Sequence, residues 1–139
     1  MNRLVSFALF LVLLNTVQGE MCQCAGYFIE DDKKTPMDFI AAMDFDLKNI
    51  KCEAGGEPMC QSFCYEFMSQ ITNGGDLFHI RPGAEKCYGD QICELIDRDL
   101  LKGLWVGAFS RACGGEYIFT GLVSDDTLCC KNRKHVHCP

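Results

Sequence analysis

Eleven cysteines in a chain of 139 residues limit what this sequence can fold into more than any other feature. They stand at Cys22, Cys24, Cys52, Cys60, Cys64, Cys87, Cys93, Cys113, Cys129, Cys130 and Cys138. That density in a short chain marks a disulfide scaffold, in which covalent links supplement a core too small to hold the fold alone. Each native bridge contributes about 2 to 4 kcal/mol, so five of them weigh as much as the apolar core. Eleven is odd. Five intrachain bridges leave one thiol, either buried and reduced or joined to a second chain in a disulfide-linked dimer.

The residues ahead of the first cysteine say why oxidation is expected. Met1-Asn2-Arg3 brings a positive charge, Leu4 to Leu14 is apolar except for Ser6, and Asn15 to Gly19 is a polar exit with Val17 and Gly19 suited to cleavage. The pattern predicts a signal peptide over 1–19, a single disulfide-rich domain over 20–139, and a secreted, extracellular protein. The apolar run is too short for a bilayer, which needs about 20 residues. Export delivers the chain to an oxidising compartment, where thiols pair. Loss of the leader removes Arg3 alone among the charged residues and moves the net charge from −6 to −7. So acidic a chain repels phosphates and anionic lipid heads, which argues against nucleic acid or a membrane as partner. Lys131, Arg133 and Lys134 form a local basic exception.

Local patterns predict the elements. Cys22 to Glu30, with Tyr27, Phe28 and Ile29, suits a strand running into a turn at Asp31-Asp32-Lys33-Lys34. Thr35-Pro36-Met37-Asp38 resembles a helix start, and Ile40, Met43 and Leu47 follow at helical spacing, so a short helix is expected over roughly 36–47. The strongest helix follows Pro58: Cys60, Phe63, Cys64, Phe67 and Ile71 recur at three- and four-residue steps until Asn73-Gly74-Gly75. Cys60 and Cys64 then face one way, each able to bridge to a different neighbouring segment. Asp90 is the expected cap of a second helix with Cys93, Ile96, Leu100 and Leu104 as its apolar stripe. Glu116 to Val123 and Thr127 to Lys131 are expected to form a hairpin across Ser124-Asp125-Asp126, with Lys131 to Pro139 as a tail pinned by Cys138. The fold class expected is α+β, a small disulfide-rich domain with two or three short helices and a small antiparallel sheet.

Catalytic and metal chemistry finds little footing. Cys129, Cys130, His135, His137 and Cys138 fall within ten residues and would suggest zinc in a reducing compartment. In an exported chain the sulfurs go to disulfides instead, and the adjacent Cys129 and Cys130 to two different partners. Asp44-x-Asp46 begins like a calcium loop, but Asn49 falls where the turn glycine belongs and Gly55 where the bidentate Glu belongs. No Gly-x-Ser-x-Gly elbow accompanies His79, His135 or His137. The Lys131-Asn132-Arg133-Lys134 run, with no Asp beside a histidine, departs from the Cys-Cys-x-x-His-Asp pattern of secreted phospholipases. No catalytic residue and no cofactor is therefore expected. Trp105 and Phe109 flank the apolar Val106-Gly107-Ala108; exposed, they would form a contact surface, although burial is the default for large aromatics in a small core.

The cysteine framework itself resembles a known family. Cys22-x-Cys24 followed by Gly26 and Phe28, then Cys52-x7-Cys60-x3-Cys64, Cys87-x5-Cys93, Cys113, the Cys129-Cys130 pair and Cys138 resemble the insect follicle cell protein family of secreted cysteine-rich proteins. The resemblance implies an arthropod secreted protein, made by epithelia or by a gland whose product is venom or saliva, and no catalytic residues. The expected function is that of a non-enzymatic protein acting by surface binding to an extracellular protein target. The alternative is a structural component of an extracellular layer such as an eggshell, linked through the odd cysteine.

Overall fold

In the computed structural model residues 21–48, 52 and 56–139 are described, and the expected leader over 1–19 lies outside them. Along the chain come β1 (Met21–Ile29), β2 (Pro36–Asp46), α1 (Gly56–Ile71), α2 (Tyr88–Ile96), β3 (Leu100–Ala112), β4 (Ile118–Val123), β5 (Leu128–Lys131) and β6 (Lys134–Val136). The strands pair antiparallel in the order β2-β1-β3-β5-β6, with β4 also on β3. Among the described residues strand outweighs helix, 41% against 22%, so this α+β domain is dominated by its sheet.

β1 and α1 form where the local pattern puts them; three other segments do not. The expected helix over 36–47 is instead the strand β2. After the tight turn at Asp31 to Thr35 the chain meets the open edge of β1, and pairing along β1 satisfies its backbone. Its aromatics also find partners there: Phe39 meets Tyr27 edge-on at 5.4 Å, and Phe45 lies 4.9 Å and 4.8 Å from Phe63 and Phe67 of α1. Tertiary contacts of this kind override a weak helical periodicity.

The second helix is shorter and starts earlier than expected. Cys87, not Asp90, caps α2, its sulfur accepting from the Asp90 amide. The Asp90 carboxylate instead accepts from the backbone N–H of His135 in β6 at 2.7 Å. Asp97 closes α2 in the left-handed region, φ 50°, so Leu100 and Leu104 enter the long central strand β3. The expected pairing of 116–123 with 127–131 also gives way. β4 and β5 each pair with β3, because Ser124 ties the connection to Val106: its amide donates to the Val106 carbonyl at 2.8 Å and its hydroxyl accepts from the Val106 amide at 3.1 Å. The tail holds a further strand, β6, joined to β5 through Asn132 and Arg133, both at positive φ as a two-residue hairpin turn requires.

Five disulfides fasten this arrangement: Cys22–Cys60, Cys24–Cys64, Cys52–Cys113, Cys93–Cys130 and Cys129–Cys138. Cys129 and Cys130 reach two different partners, as adjacency demands. Cys60 and Cys64 do not reach different segments: both bridge to β1. The reason is metric. Two residues along a strand advance about 6.6 Å, four along a helix about 6 Å, so a helix lying along a strand presents both pairs in register. Cys87 is the unpaired thiol, and it is buried.

The register of β1 on β3 sets Cys24 opposite Ser110, Gly26 opposite Ala108 and Phe28 opposite Val106. This row faces the helices, as the bridges to α1 require. The opposite face carries an aromatic cluster in which Phe109 lies 5.0 Å from Tyr27 and 5.4 Å from Phe119.

Candidate functional site

The residues singled out from sequence do not converge. Phe109 is 1% exposed within the aromatic cluster, the default for a large aromatic in a small core, and offers no contact surface. Trp105 is half-buried, with the Lys33 ammonium 4.1 Å from its ring centroid. The Cys129 to Cys138 ligand set is not assembled for a metal, because its three sulfurs are bridged. The sulfurs of Cys22, Cys24 and Cys64 lie within 4.8 Å of one another, and these too are spent in bridges. His135 is buried with its Nδ1 3.1 Å from the Cys129 carbonyl, and Phe78 packs on both His135 and His137.

What the fold does bring together is a cavity of about 280 Å³ between the sheet and the two helices. Its floor is a row of the smallest side chains. Gly26 of β1 pairs with Ala41 of β2 on one side and with Ala108 of β3 on the other. Larger residues there would meet the helices and fill the space. Met68 and Ile71 of α1 and Ile92 of α2 supply apolar walls. Leu95 and Met43, 62% and 41% exposed, stand where the cavity opens to solvent.

Two local features hold the walls in place. The Asn73-Gly74-Gly75 turn ends α1 in the left-handed region, and Gly75, at φ 98°, passes so close to β4 that an added Cβ would lie 2.7 Å from the Val123 carbonyl oxygen. The start of α2 is moored to the preceding loop, with the Tyr88 amide donating to His79 and the Gly89 amide to Leu77. That mooring sets Tyr88 on the cavity.

The polar groups are few. The Tyr88 hydroxyl is inaccessible to water and has no hydrogen-bond partner among the described residues. Burial pushes its pKa above the ordinary value of 10.0, and the nearby Arg81 charge draws it part of the way back. Arg81 is an exposed residue of the cavity lining and forms no salt bridge among the described residues. Asp76 also lines the cavity, its carboxylate accepting from the Phe78 amide at 2.9 Å. Among the described residues the lining is mostly apolar, with Arg81 and Asp76 as its charged members.

Comparison with known protein families, with characterised proteins and with solved structures finds no match. No helix among the described residues is long and apolar enough to cross a membrane, and the density of bridges is typical of extracellular proteins. The cavity is not legible in the sequence because the spacing of Ile40 and Met43 predicts a helix; paired as a strand, this segment brings Ala41 beside Gly26.

Proposed function

We propose that the protein is a secreted, non-enzymatic binding protein that encloses a small apolar molecule between its sheet and its helices. The observation that carries this reading is the cavity floored by Gly26, Ala41 and Ala108. Its volume lies just below the roughly 300 to 1,000 Å³ of ordinary ligand pockets, and its lining combines apolar walls with few polar groups, as such pockets do. The leader-like N-terminus and the bridges support secretion. The cysteine spacing, with its resemblance to the insect follicle cell protein family, supports an arthropod source such as an epithelium, venom or saliva. Burial of Cys87 weighs against the eggshell alternative, since that role needs the odd sulfur at the surface.

Substitution of Gly26 tests the reading directly. Its backbone is not in the left-handed region, and an added Cβ would find its nearest neighbour, Ile40 Cβ, at the ordinary contact distance of 4.0 Å, so Gly26→Leu places a side chain over the floor without backbone strain. Titration calorimetry with 1-decanol is expected to give saturable binding to the native protein. Excluding only two methylenes, each worth about 0.8 kcal/mol, weakens the variant about tenfold, with its melting temperature retained. Equal affinity in the two proteins, or no saturable binding to the native one, would overturn the proposal.

A further inference from the structure

We propose that the outer edge of β2 accepts an extended segment of a partner protein, in which basic and apolar residues alternate, as one more strand of the sheet. The site is separate from the cavity, because it consists of the backbone groups of β2 that face away from β1.

An edge strand presents a row of unpaired N–H and C=O groups, which makes it a template for pairing with another chain. Among the described residues β2, β4 and β6 each have one strand neighbour. At two of them a helix side chain engages the backbone: the His135 amide of β6 donates to the Asp90 carboxylate of α2 at 2.7 Å, and the Phe119 carbonyl of β4 accepts from the Gln61 side chain of α1 at 2.8 Å. β2 is the longest of the three, at 11 residues, and none of its residues is buried. Its stretch from Ala41 to Asp46 pairs with Gly26 to Met21 without a bulge, so the side turned away from β1 is equally regular. Met37, Phe39 and Met43 are left exposed along the strand.

Charge decides the occupant. β2 carries Asp38, Asp44 and Asp46 and no Lys or Arg; all three carboxylates are exposed, and none forms a salt bridge among the described residues. Asp44 accepts from the neutral Gln23 side chain at 2.6 Å. Arg111, two strands inward on β3, is engaged by Gln23 and lies 4.6 Å from the Tyr117 ring centroid. Asp44 and Asp46, as alternate residues of a regular strand, share one face, and Met43 lies on the other. A second copy does not suit this edge. Two β2 strands paired antiparallel about a twofold axis over this stretch bring Asp44 opposite, or one step diagonal from, an aspartate of the other copy, and the whole chain carries a net charge of −6. Carboxylates on an edge guard it against its own kind and leave it open to the opposite charge. A segment with Lys or Arg at alternate positions meets Asp44 and Asp46, while the apolar residues between them fall beside Met43.

The probe is a short fluorescent peptide of alternating lysine and valine, followed by anisotropy on the oxidised protein. Saturable binding is expected, about tenfold tighter than that of the peptide with glutamate in place of each lysine. Asp44→Asn combined with Asp46→Asn is expected to weaken it severalfold with the melting temperature retained. Strand pairing has its own signature, which attraction between loose charges would not give. Successive N–H groups of a strand point to opposite sides, so of two peptides N-methylated at every lysine or at every valine, one is expected to lose binding and the other to keep it. Amide hydrogen exchange within Ala41 to Asp46 is expected to slow severalfold when the lysine-valine peptide is bound. Equal binding of the two methylated peptides, unchanged exchange, equal binding of the glutamate peptide, or no binding of the lysine-valine peptide would overturn the proposal. So would a native protein that sediments as a dimer with Ala41 to Asp46 already protected, since the edge would then belong to a second copy. None of these outcomes bears on the titration with 1-decanol, which tests the cavity.

Discussion

Cys87 stands at the start of α2 with its sulfur accepting from the Asp90 amide at 3.4 Å, and only 7% of it is exposed. Burial first, and the neighbouring Asp90 charge in the same direction, push its thiol above the ordinary value of 9.0. The folded chain therefore keeps this proton where the unfolded chain has already lost it. The stabilisation is complete below the pKa of the unfolded thiol and declines as pH rises through the folded value. Tyr88 and Tyr117, both raised from 10.0 mainly by burial, act with the same sign at higher pH. Two outcomes are expected. Ellman's reagent at pH 8 should find no reactive thiol in the native protein and one in denaturant; more than one would mean that a bridge had opened. Stability should fall as the pH is raised past 9, and Cys87→Ser should remove the first part of that fall.

The hairpin of β1 and β2 is the element on which the site depends most, since β2 carries Ala41 and Met43 to the cavity. Its turn is held by one carboxylate: Asp32 accepts from the Lys34 and Thr35 amides at 2.9 and 2.8 Å and from the Thr35 hydroxyl. The Thr35 hydroxyl, then those amides, hold the Asp32 carboxyl below its ordinary 3.8. This contribution is present above the unfolded value and is lost as pH falls through the lower, folded one. Asp32→Ala should speed amide hydrogen exchange at Lys34 and Thr35 severalfold while leaving α1 protected; unchanged exchange would show that strand pairing alone sets the turn. The hairpin also marks where sequence stops being informative. β1 and α1 are legible because an aromatic, β-branched run and a repeat of Cys60, Phe63, Cys64 and Phe67 each declare a local period. β2 is not, because Ile40, Met43 and Leu47 fit a helix until the edge of β1 is available to pair with. Leu100 and Leu104 extend the period of α2 just as plausibly, and only the left-handed turn at Asp97, a conformation that Asp does not announce, diverts them into β3. The cavity was least legible of all, since the adjacency of Gly26, Ala41 and Ala108 exists only once three strands are in register.

Across the whole molecule the bridges gather at the two ends of β3. Cys22–Cys60, Cys24–Cys64 and Cys52–Cys113 lie by its Ser110 to Ala112 end, whereas Cys93–Cys130 and Cys129–Cys138 lie by Leu100, which pairs with Cys130. The cavity occupies the stretch between them, at Val106 to Ala108. Chain-entropy reasoning ranks the bridges. Cys52–Cys113 spans 61 residues and Cys129–Cys138 spans 9, so removing the first pair by double alanine substitution should cost about 4 kcal/mol and the second about 3. Urea midpoints of the two variants should fall in that order, and the reverse order would show that native packing around Cys129, not loop closure, sets the effect. The floor of Gly26, Ala41 and Ala108 has a consequence for how such a scaffold diversifies. With both ends clamped, the depth of the cavity is set at three positions of the sheet, so one added methyl there would make it shallower while the bridges still hold the frame. On the proposed binding role the domain would work like an adjustable gauge, reset for a new guest by a point substitution with no redesign of its frame.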